Sequence, residues 1–302
     1  MLFNIAEHTI GITFSDGTDV LEMLPSFKSF LTENDGSDVL LSITVDDSLR
    51  SVNKGDSRLI RDVDTGNGIT KVYRLEHHEE DGSVVPYGYQ FIIADIRGYD
   101  CALLIADEEF RNCRCALAGN FAMKSYGLNS SLMLAYAFCT ASFDTVLIHA
   151  SLVRKDGRGY AFTAKSGTGK STQVSNWLKY IPDCDLMNDD NPVVRVIDGK
   201  TYIYGSPWSG KTPCYRNVKA LLGGVAQIKR DKENHIERLS TIDSFVTLLP
   251  SCSTMKWDER VFLCNSKTVS KILETVPVYN LYCLPDRASA EVASQGMINT
   301  DE

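Results

Sequence analysis

The chain has 302 residues and a formal net charge of −8, from 31 Lys and Arg against 39 Asp and Glu. Hydrophobic residues make up 43% and charged residues 23%, which excludes a disordered chain, a collagen-like chain and a coiled coil. Excess acid also argues against a dedicated nucleic-acid binder, which needs a basic footprint to displace counterions; a single locally positive pocket is still compatible with it.

Nine cysteines, an odd count with no C-x-x-C pair, fit neither a disulfide framework nor a zinc ribbon. The stretch Met1–Glu7 has no basic region, and no apolar run reaches the ~18 residues of a membrane span. The expectation is a cytoplasmic protein with no membrane partner.

The first domain is expected at residues 1–125 and reads as β-rich. Strands are predicted at 9–14, 39–43, 87–93 and 101–105, separated by turns at Asp16-Gly17, Asn67-Gly68, Asp81-Gly82 and Arg97-Gly98. Cys113 and Cys115, one residue apart, share a face if they lie on a strand. His77-His78, among Glu76, Glu79 and Glu80, reads as a solvated turn rather than a metal site.

A second domain is expected at 126–302, where strands and helices alternate. Helices are predicted at 130–143, 171–180, 241–249 and 267–276. Strands are predicted at 146–150, 159–164, 193–197, 201–204, 224–229 and 278–284, with hairpin turns at Asp156-Gly157 and Asp198-Gly199. The predicted fold class is α/β with a mixed sheet, behind a β-rich N-terminal region.

Ala164-Lys165-Ser166-Gly167-Thr168-Gly169-Lys170-Ser171 matches the phosphate-loop pattern. Its two glycines let the backbone curl so that successive N–H groups converge on phosphate oxygens. The helix that follows adds the positive end of its dipole. Lys170 would reach the β- and γ-phosphates, and the Ser171 hydroxyl would hold Mg²⁺. Val174, Trp177, Leu178 and Ile181 give that helix one apolar face, and Pro182 stops it.

One helix-length further lies Asp189-Asp190. Adjacent residues on an extended chain point opposite ways, so one carboxylate could ligate Mg²⁺ while its neighbour accepts a proton from an incoming hydroxyl; the competing reading is a solvated turn, since Asn188-Asp189-Asp190-Asn191-Pro192 is turn-like. His149 lies on the strand before the one that leads into the loop; a hairpin would bring it near the phosphates, and the competing reading is a packed core histidine. Gly205-Ser206-Pro207-Trp208-Ser209-Gly210-Lys211 is a second Gly-flanked loop; it could bring Lys211 and Arg216 to the substrate, or lie on the surface with Trp208 as its plug.

In this order, His149-Ala150-Ser151, the phosphate loop, Asp189-Asp190 and the Trp208 loop resemble the HPr kinase/phosphorylase family, whose phosphate-loop core is shared with ATP-dependent phosphoenolpyruvate carboxykinases. The resemblance covers residues 128–230. It implies an ATP- and Mg²⁺-dependent phosphotransferase acting on a hydroxyl, most simply a serine in a peptide or small-protein partner, and an assembly of several copies. Ser166, Gly167, Thr168, Gly169, Lys170, Ser171 and Thr172 would bind nucleotide, and Ser171 and Asp189 the metal. Asp190 would be the general base, supported by His149, with Lys170 on the phosphates. Trp208, Lys211 and Arg216 would meet the substrate. Ala164 stands in place of the family's first loop glycine. The Pro-Gly-Arg-Asn stretch linked with phosphorolysis is missing, and the N-terminal region does not resemble the family's. The alternatives are a carboxykinase-like enzyme acting on a small acid and a non-catalytic ATP-binding module.

Overall fold

The computed structural model describes residues 1–33, 38–165, 167–210 and 212–298. The chain is mixed α/β and divides into two units, Met1–Cys139 and Thr140–Glu302. Among the described residues, each unit is built on a nine-stranded mixed sheet with few helices.

In the first unit the elements are β1 (Leu2–Ile5), β2 (His8–Phe14), α1 (Val20–Met23), β3 (Leu31–Thr32), β4 (Leu41–Val45), β5 (Ser57–Asp64), β6 (Ile69–His78), β7 (Val84–Ala94), β8 (Asp100–Asp107), β9 (Asn112–Leu117) and α2 (Phe121–Cys139). The sheet order is β3-β1-β2-β4-β9-β8-β7-β6-β5. Alternation decides which face is buried: His8, Ile10 and Ile12 of β2 point inward, as do Cys113 and Cys115 of β9. The helix predicted at 130–143 begins at Phe121 instead. Its polar run is no cap, because the Ser131 hydroxyl donates to the Gly127 carbonyl one turn back, at 2.8 Å. Gly127 allows close packing on β8, since a Cβ there would meet the Cys101 carbonyl oxygen at 2.6 Å. The sequence pattern missed β5 and β6, which lie toward the sheet edge and carry charges where a core strand carries apolar residues. His77 and His78 end β6 rather than forming a turn, and His77 stacks on Tyr87 with ring centroids 4.1 Å apart.

In the second unit the elements are β10 (Thr145–Leu147), β11 (Ala150–Lys155), β12 (Arg158–Thr163), α3 (Lys170–Tyr180), β13 (Cys184–Asp190), β14 (Val193–Ile197), β15 (Lys200–Tyr204), β16 (Lys219–Arg230), β17 (His235–Arg238), α4 (Thr241–Leu248), α5 (Glu259–Leu273), β18 (Val278–Cys283) and α6 (Arg287–Ile298). The predicted strand at 146–150 is broken. Its two halves, β10 and β11, face β14 and β13. The break at Ile148-His149 lies opposite Asn191-Pro192, where proline cannot donate to a ladder. Ile148 N–H reaches the Pro192 carbonyl at 3.1 Å, while His149 N–H turns to Ser251 at 2.7 Å.

The hairpin of β11 and β12 closes through Asp156 and Gly157, at φ 51° and 74°. Two left-handed residues match the twist of the strands they join. The strand β12 pairs in parallel with β16, which pairs in parallel with β18. Along β12 the side chains alternate. Tyr160 and Phe162 pack with Trp177 of α3 and with Ala290 and Ala293 of α6. Ala161 faces the other way, into the core shared with Leu248 of α4 and Val269 of α5.

Trp177 anchors α3, the helix that follows the Gly167–Gly169 loop. It is fully buried, and its ring lies 5.5 Å from both Tyr160 and Phe162. Deleting a buried aromatic costs about 3–5 kcal/mol. Trp177→Ala is expected to lose that much, read as an earlier denaturant midpoint at unchanged slope. A loss under about 1 kcal/mol would mean that the helix is held elsewhere.

Candidate functional site

Strand register assembles the site. Ala150 pairs with Thr163 on one side and with Asp190 on the other. At about 4.8 Å per strand spacing, the last residue of β12 and the last of β13 stand roughly 10 Å apart in one row. His149 precedes Ala150 and lies between them. The phosphate loop leaves β12 directly after Thr163.

The described residues of the loop turn tightly. Gly167 and Gly169 have φ of 75° and 134°, a region L side chains avoid. Thr168 N–H closes a turn on Lys165 at 3.1 Å. Among the described residues, the amides of Gly167, Gly169, Ser171 and Thr172 take no backbone acceptor, as is usual for the first turn of a helix.

Lys170 Nζ lies 2.7 Å from His149 Nε2, and His149 Nδ1 lies 3.1 Å from Asp190 Oδ1. An ammonium can only donate, so Nε2 accepts and Nδ1–H donates to Asp190. Burial lowers the His149 pKa first; Asp190 pulls it back up, and Lys170 lowers it again. Burial also holds Lys170 below the ordinary lysine value, against Asp190 and Asp189.

Asp190 sits at φ 129°, apart from the turn residues near 50–60°. A non-glycine held in such a region costs on the order of 1–3 kcal/mol and persists only where its surroundings over-determine it. They do so here. Asn191 Nδ2 donates to Asp190 Oδ2 at 3.0 Å, and Ser209 bridges Asp190 across the backbone. Gly210 lies against it, where a Cβ would come within 3.0 Å of Asp190 Cβ.

Asp189 points the other way and is buried. Its Oδ1 accepts from Ser151 at 2.5 Å, and its Oδ2 from Thr212 N–H at 3.2 Å. The register explains the first bond, since Ser151 and Asp189 are cross-strand partners. Asn188, fully buried, reaches with its amide toward Ser206, Trp208 and Cys214 and ties the Trp208 loop beneath the carboxylates.

The structure therefore brings Lys170, His149 and Asp190 together, with Asp189 beside them. Trp208 is buried at 2% exposure, inside the wall of the site. Arg216 is tied to Asp185 at 2.5 Å and to the Leu186 carbonyl, toward the opposite end of β13. Ser166 and Lys211 lie outside the described residues. The sequence reading missed three residues. Ser151 and Asn188 adjoin His149-Ala150 and Asp189-Asp190 in the chain, and that adjacency was the available signal. Arg230 gave none. It arrives from the end of β16 and donates to the carbonyls of Gly167 at 2.6 Å and Thr168 at 3.2 Å.

The donor chemistry suits Mg²⁺. That ion takes one or two protein ligands and completes its shell with phosphate oxygens and water. Ser171 is exposed. Asp189 uses two of the roughly four lone-pair positions of a carboxylate. Among the described residues no cluster of three His, Cys, Asp or Glu could hold a metal ion.

No protein-family model matches the chain, and no curated protein matches it. Among solved structures, it is similar to the HPr(Ser) kinase/phosphatase from Coxiella burnetii at a TM-score of 0.31 and 8% identity, over 51% of this chain and 92% of that one. Among the described residues no helix is long and apolar enough to cross a membrane.

Because burial leads the shift, His149 is expected to stay neutral at pH 7, with the proton on Nδ1, and to titrate below the ordinary imidazole value near 6.5. A folded-state pKa below the unfolded one favours the neutral form on folding. This contribution to stability is present above about pH 6.5 and is lost as pH falls through the folded value. Long-range ¹H–¹⁵N correlation spectra against pH read both tautomer and midpoint. A midpoint above 6.5, or a proton on Nε2, would contradict the arrangement.

Proposed function

We propose that the second unit is an ATP- and Mg²⁺-dependent kinase core, of the kind its motifs resemble, that transfers the γ-phosphoryl group to a hydroxyl, in the first instance a serine of a peptide or small protein. The observation that carries this reading is one imidazole joining the loop lysine to a strained carboxylate, Lys170–His149–Asp190.

The roles follow from what each group can do. Lys170 presents its ammonium to the β- and γ-phosphates. Asp190 accepts the proton of the attacking hydroxyl. A carboxylate serves although its pKa lies far below that of an alcohol, because the proton moves late, as the phosphoryl group arrives. His149, donating from Nδ1, keeps the Asp190 carboxylate aimed. Ser171 and Asp189 would hold Mg²⁺, which when bound neutralises phosphate charge. The buried hydrogen bonds of Ser151, Asn188 and Ser209 keep the row rigid while charge shifts along it.

A second reading is a nucleotide-binding module without turnover. Its support is Asp189, whose two oxygens are already engaged by Ser151 and Thr212. The two readings part in one experiment, in which cell extract is incubated with γ-labelled ATP, Mg²⁺ and the protein. The kinase reading expects a labelled seryl product. Asp190→Asn should keep ATP affinity and slow transfer by about 10²–10⁴-fold, the usual worth of a general base. Lys170→Ala should weaken ATP binding by roughly 10- to 100-fold, as expected for a charge-assisted contact of about 1.5–3 kcal/mol. Tight ATP binding with equal background turnover in wild type and Lys170→Ala would establish the module instead.

A further inference from the structure

The first unit carries a cavity of about 540 Å³, lined by its own residues alone. It opens where three neighbouring parallel strands end. Ser15 N–H, just past β2, donates to the Val45 carbonyl of β4 at 2.9 Å, and Asp46 N–H, just past β4, donates to the Cys115 carbonyl of β9 at 2.8 Å. Sheets of this kind bind ligands in the crevice beyond their carboxyl ends, and the volume lies within the ~300–1,000 Å³ of small-molecule sites. The floor is apolar, because Phe14, Val45 and Leu117 are the last inward-facing residues of the three strands. Met23 of α1 and Phe121 of α2 extend it, and the Ser125 hydroxyl ties the two helices together by donating to the Met23 carbonyl at 2.8 Å.

Charge gives the cavity a sign. Four carboxylates line it, Asp16, Glu22, Asp46 and Asp47, against one ammonium, Lys124. Lys124 is already committed, with Nζ 2.7 Å from Asp47 Oδ2, while Asp47 Oδ1 accepts from Leu117 N–H at 2.9 Å. Asp46 Oδ1 accepts from the Ser48 N–H at 2.9 Å and hydroxyl at 2.6 Å, and Arg114 stands 4.0 Å from its other oxygen. The first turn of α2 also meets an oxygen of its own chain, since Asn120 Oδ1 accepts from Met123 N–H at 3.1 Å. Asp16 and Glu22 remain. Asp16 Oδ1 accepts from Thr18 N–H at 2.9 Å; among the described residues no Lys, Arg or His lies within ion-pair distance of either carboxylate.

A metal ion does not suit this distribution, because among the described residues no group of three His, Cys, Asp or Glu could hold one. A cation with an apolar body does: the body covers the floor and the charge meets the carboxylates. Phe121, 57% exposed beside them, adds an aromatic face of the kind that attracts cations. We propose that this cavity binds a small organic cation, an amine or guanidine carried on an apolar body, with Asp16 and Glu22 as its counter-charges and Phe14, Val45 and Leu117 beneath it. A free small molecule fits better than the basic side chain of a peptide, whose polar backbone would have to lie against the apolar floor without partners. The inference is independent of the kinase reading and gives the first unit a ligand of its own.

The test titrates the full chain, followed by ¹H–¹⁵N amide spectra, with three probes that share one ring: 2-phenylethylamine, the neutral 2-phenylethanol and the anionic 3-phenylpropionate. A blocked glycyl-arginyl-glycine tripeptide is the fourth. The amine is expected to shift the amides of Thr18, Asp47, Ser48 and Lys124, and to bind roughly tenfold more tightly than the alcohol, as one charge-assisted contact supplies; the acid should leave these amides in place. Asp16→Asn and Glu22→Gln, both at exposed side chains, should each weaken the amine about threefold and leave the alcohol unchanged, as the loss of one of two solvated counter-charges implies. The wild-type titrations stand whether or not the variants fold. Equal affinity for amine and alcohol, or amine shifts absent from these amides, overturns the proposal. Tighter binding of the tripeptide than of the amine assigns the cavity to a basic peptide and overturns the small-molecule occupant. None of these outcomes bears on the phosphate-loop reading.

Discussion

A neutral imidazole between an ammonium and a carboxylate organises the second unit's candidate chemistry. His149 can accept from Lys170 and donate to Asp190 only while it carries one proton. Burial keeps it in that state. A protonated ring would set two cations side by side, and the link to the loop would be lost. The position of His149 depends on an interruption in the strand that carries it. Its backbone N–H leaves the β11 ladder for Ser251, at the level where Pro192 interrupts the facing strand. A ladder closed through this point would hold residue 149 as one more strand position.

Around that link the structure spends hydrogen bonds on rigidity. Asp190 occupies a backbone region disfavoured for its residue type, and Asn191, Ser209 and Gly210 surround it closely enough to keep it there. Asp189 and Asn188, on alternating faces of the same strand, are pinned from below by Ser151 and by the Trp208 loop. Gly205 lets that loop begin, because a side chain at this position would collide with the Arg216 carbonyl. Positive charge is distributed with equal economy. Arg154 and Arg216 both neutralise Asp185, away from the row. Arg230 donates to the carbonyls of Gly167 and Thr168, and among the described residues Lys170 is the cation within the row.

The two units differ in how their sheets serve the chain. In the first, parallel pairing of β2, β4 and β9 is flanked by long antiparallel hairpins, and α2 covers the sheet through Gly127. In the second, the parallel strands β12, β16 and β18 bring three carboxyl ends together beside the loop, and apolar cores fill both faces of the sheet.

Residue order alone was enough to read the turn at Gly167 and Gly169, the amphipathic α3 behind it and the two-residue hairpins at Asp156-Gly157 and Asp198-Gly199. Each of these is set by local backbone sterics and by spacing within a few residues. It also marked Lys170, His149 and Asp190, although not their contact. What folding decided was everything that depends on register between distant strands: the row through Thr163, Ala150 and Asp190, the burial of Trp208, the diversion of Arg216 to Asp185, and the arrival of Arg230 at the loop from more than sixty positions away. Strand pairing is a long-range choice made by the whole core. A one-residue slip would exchange the faces of Asp189 and Asp190, and no local pattern in the chain states which register should win.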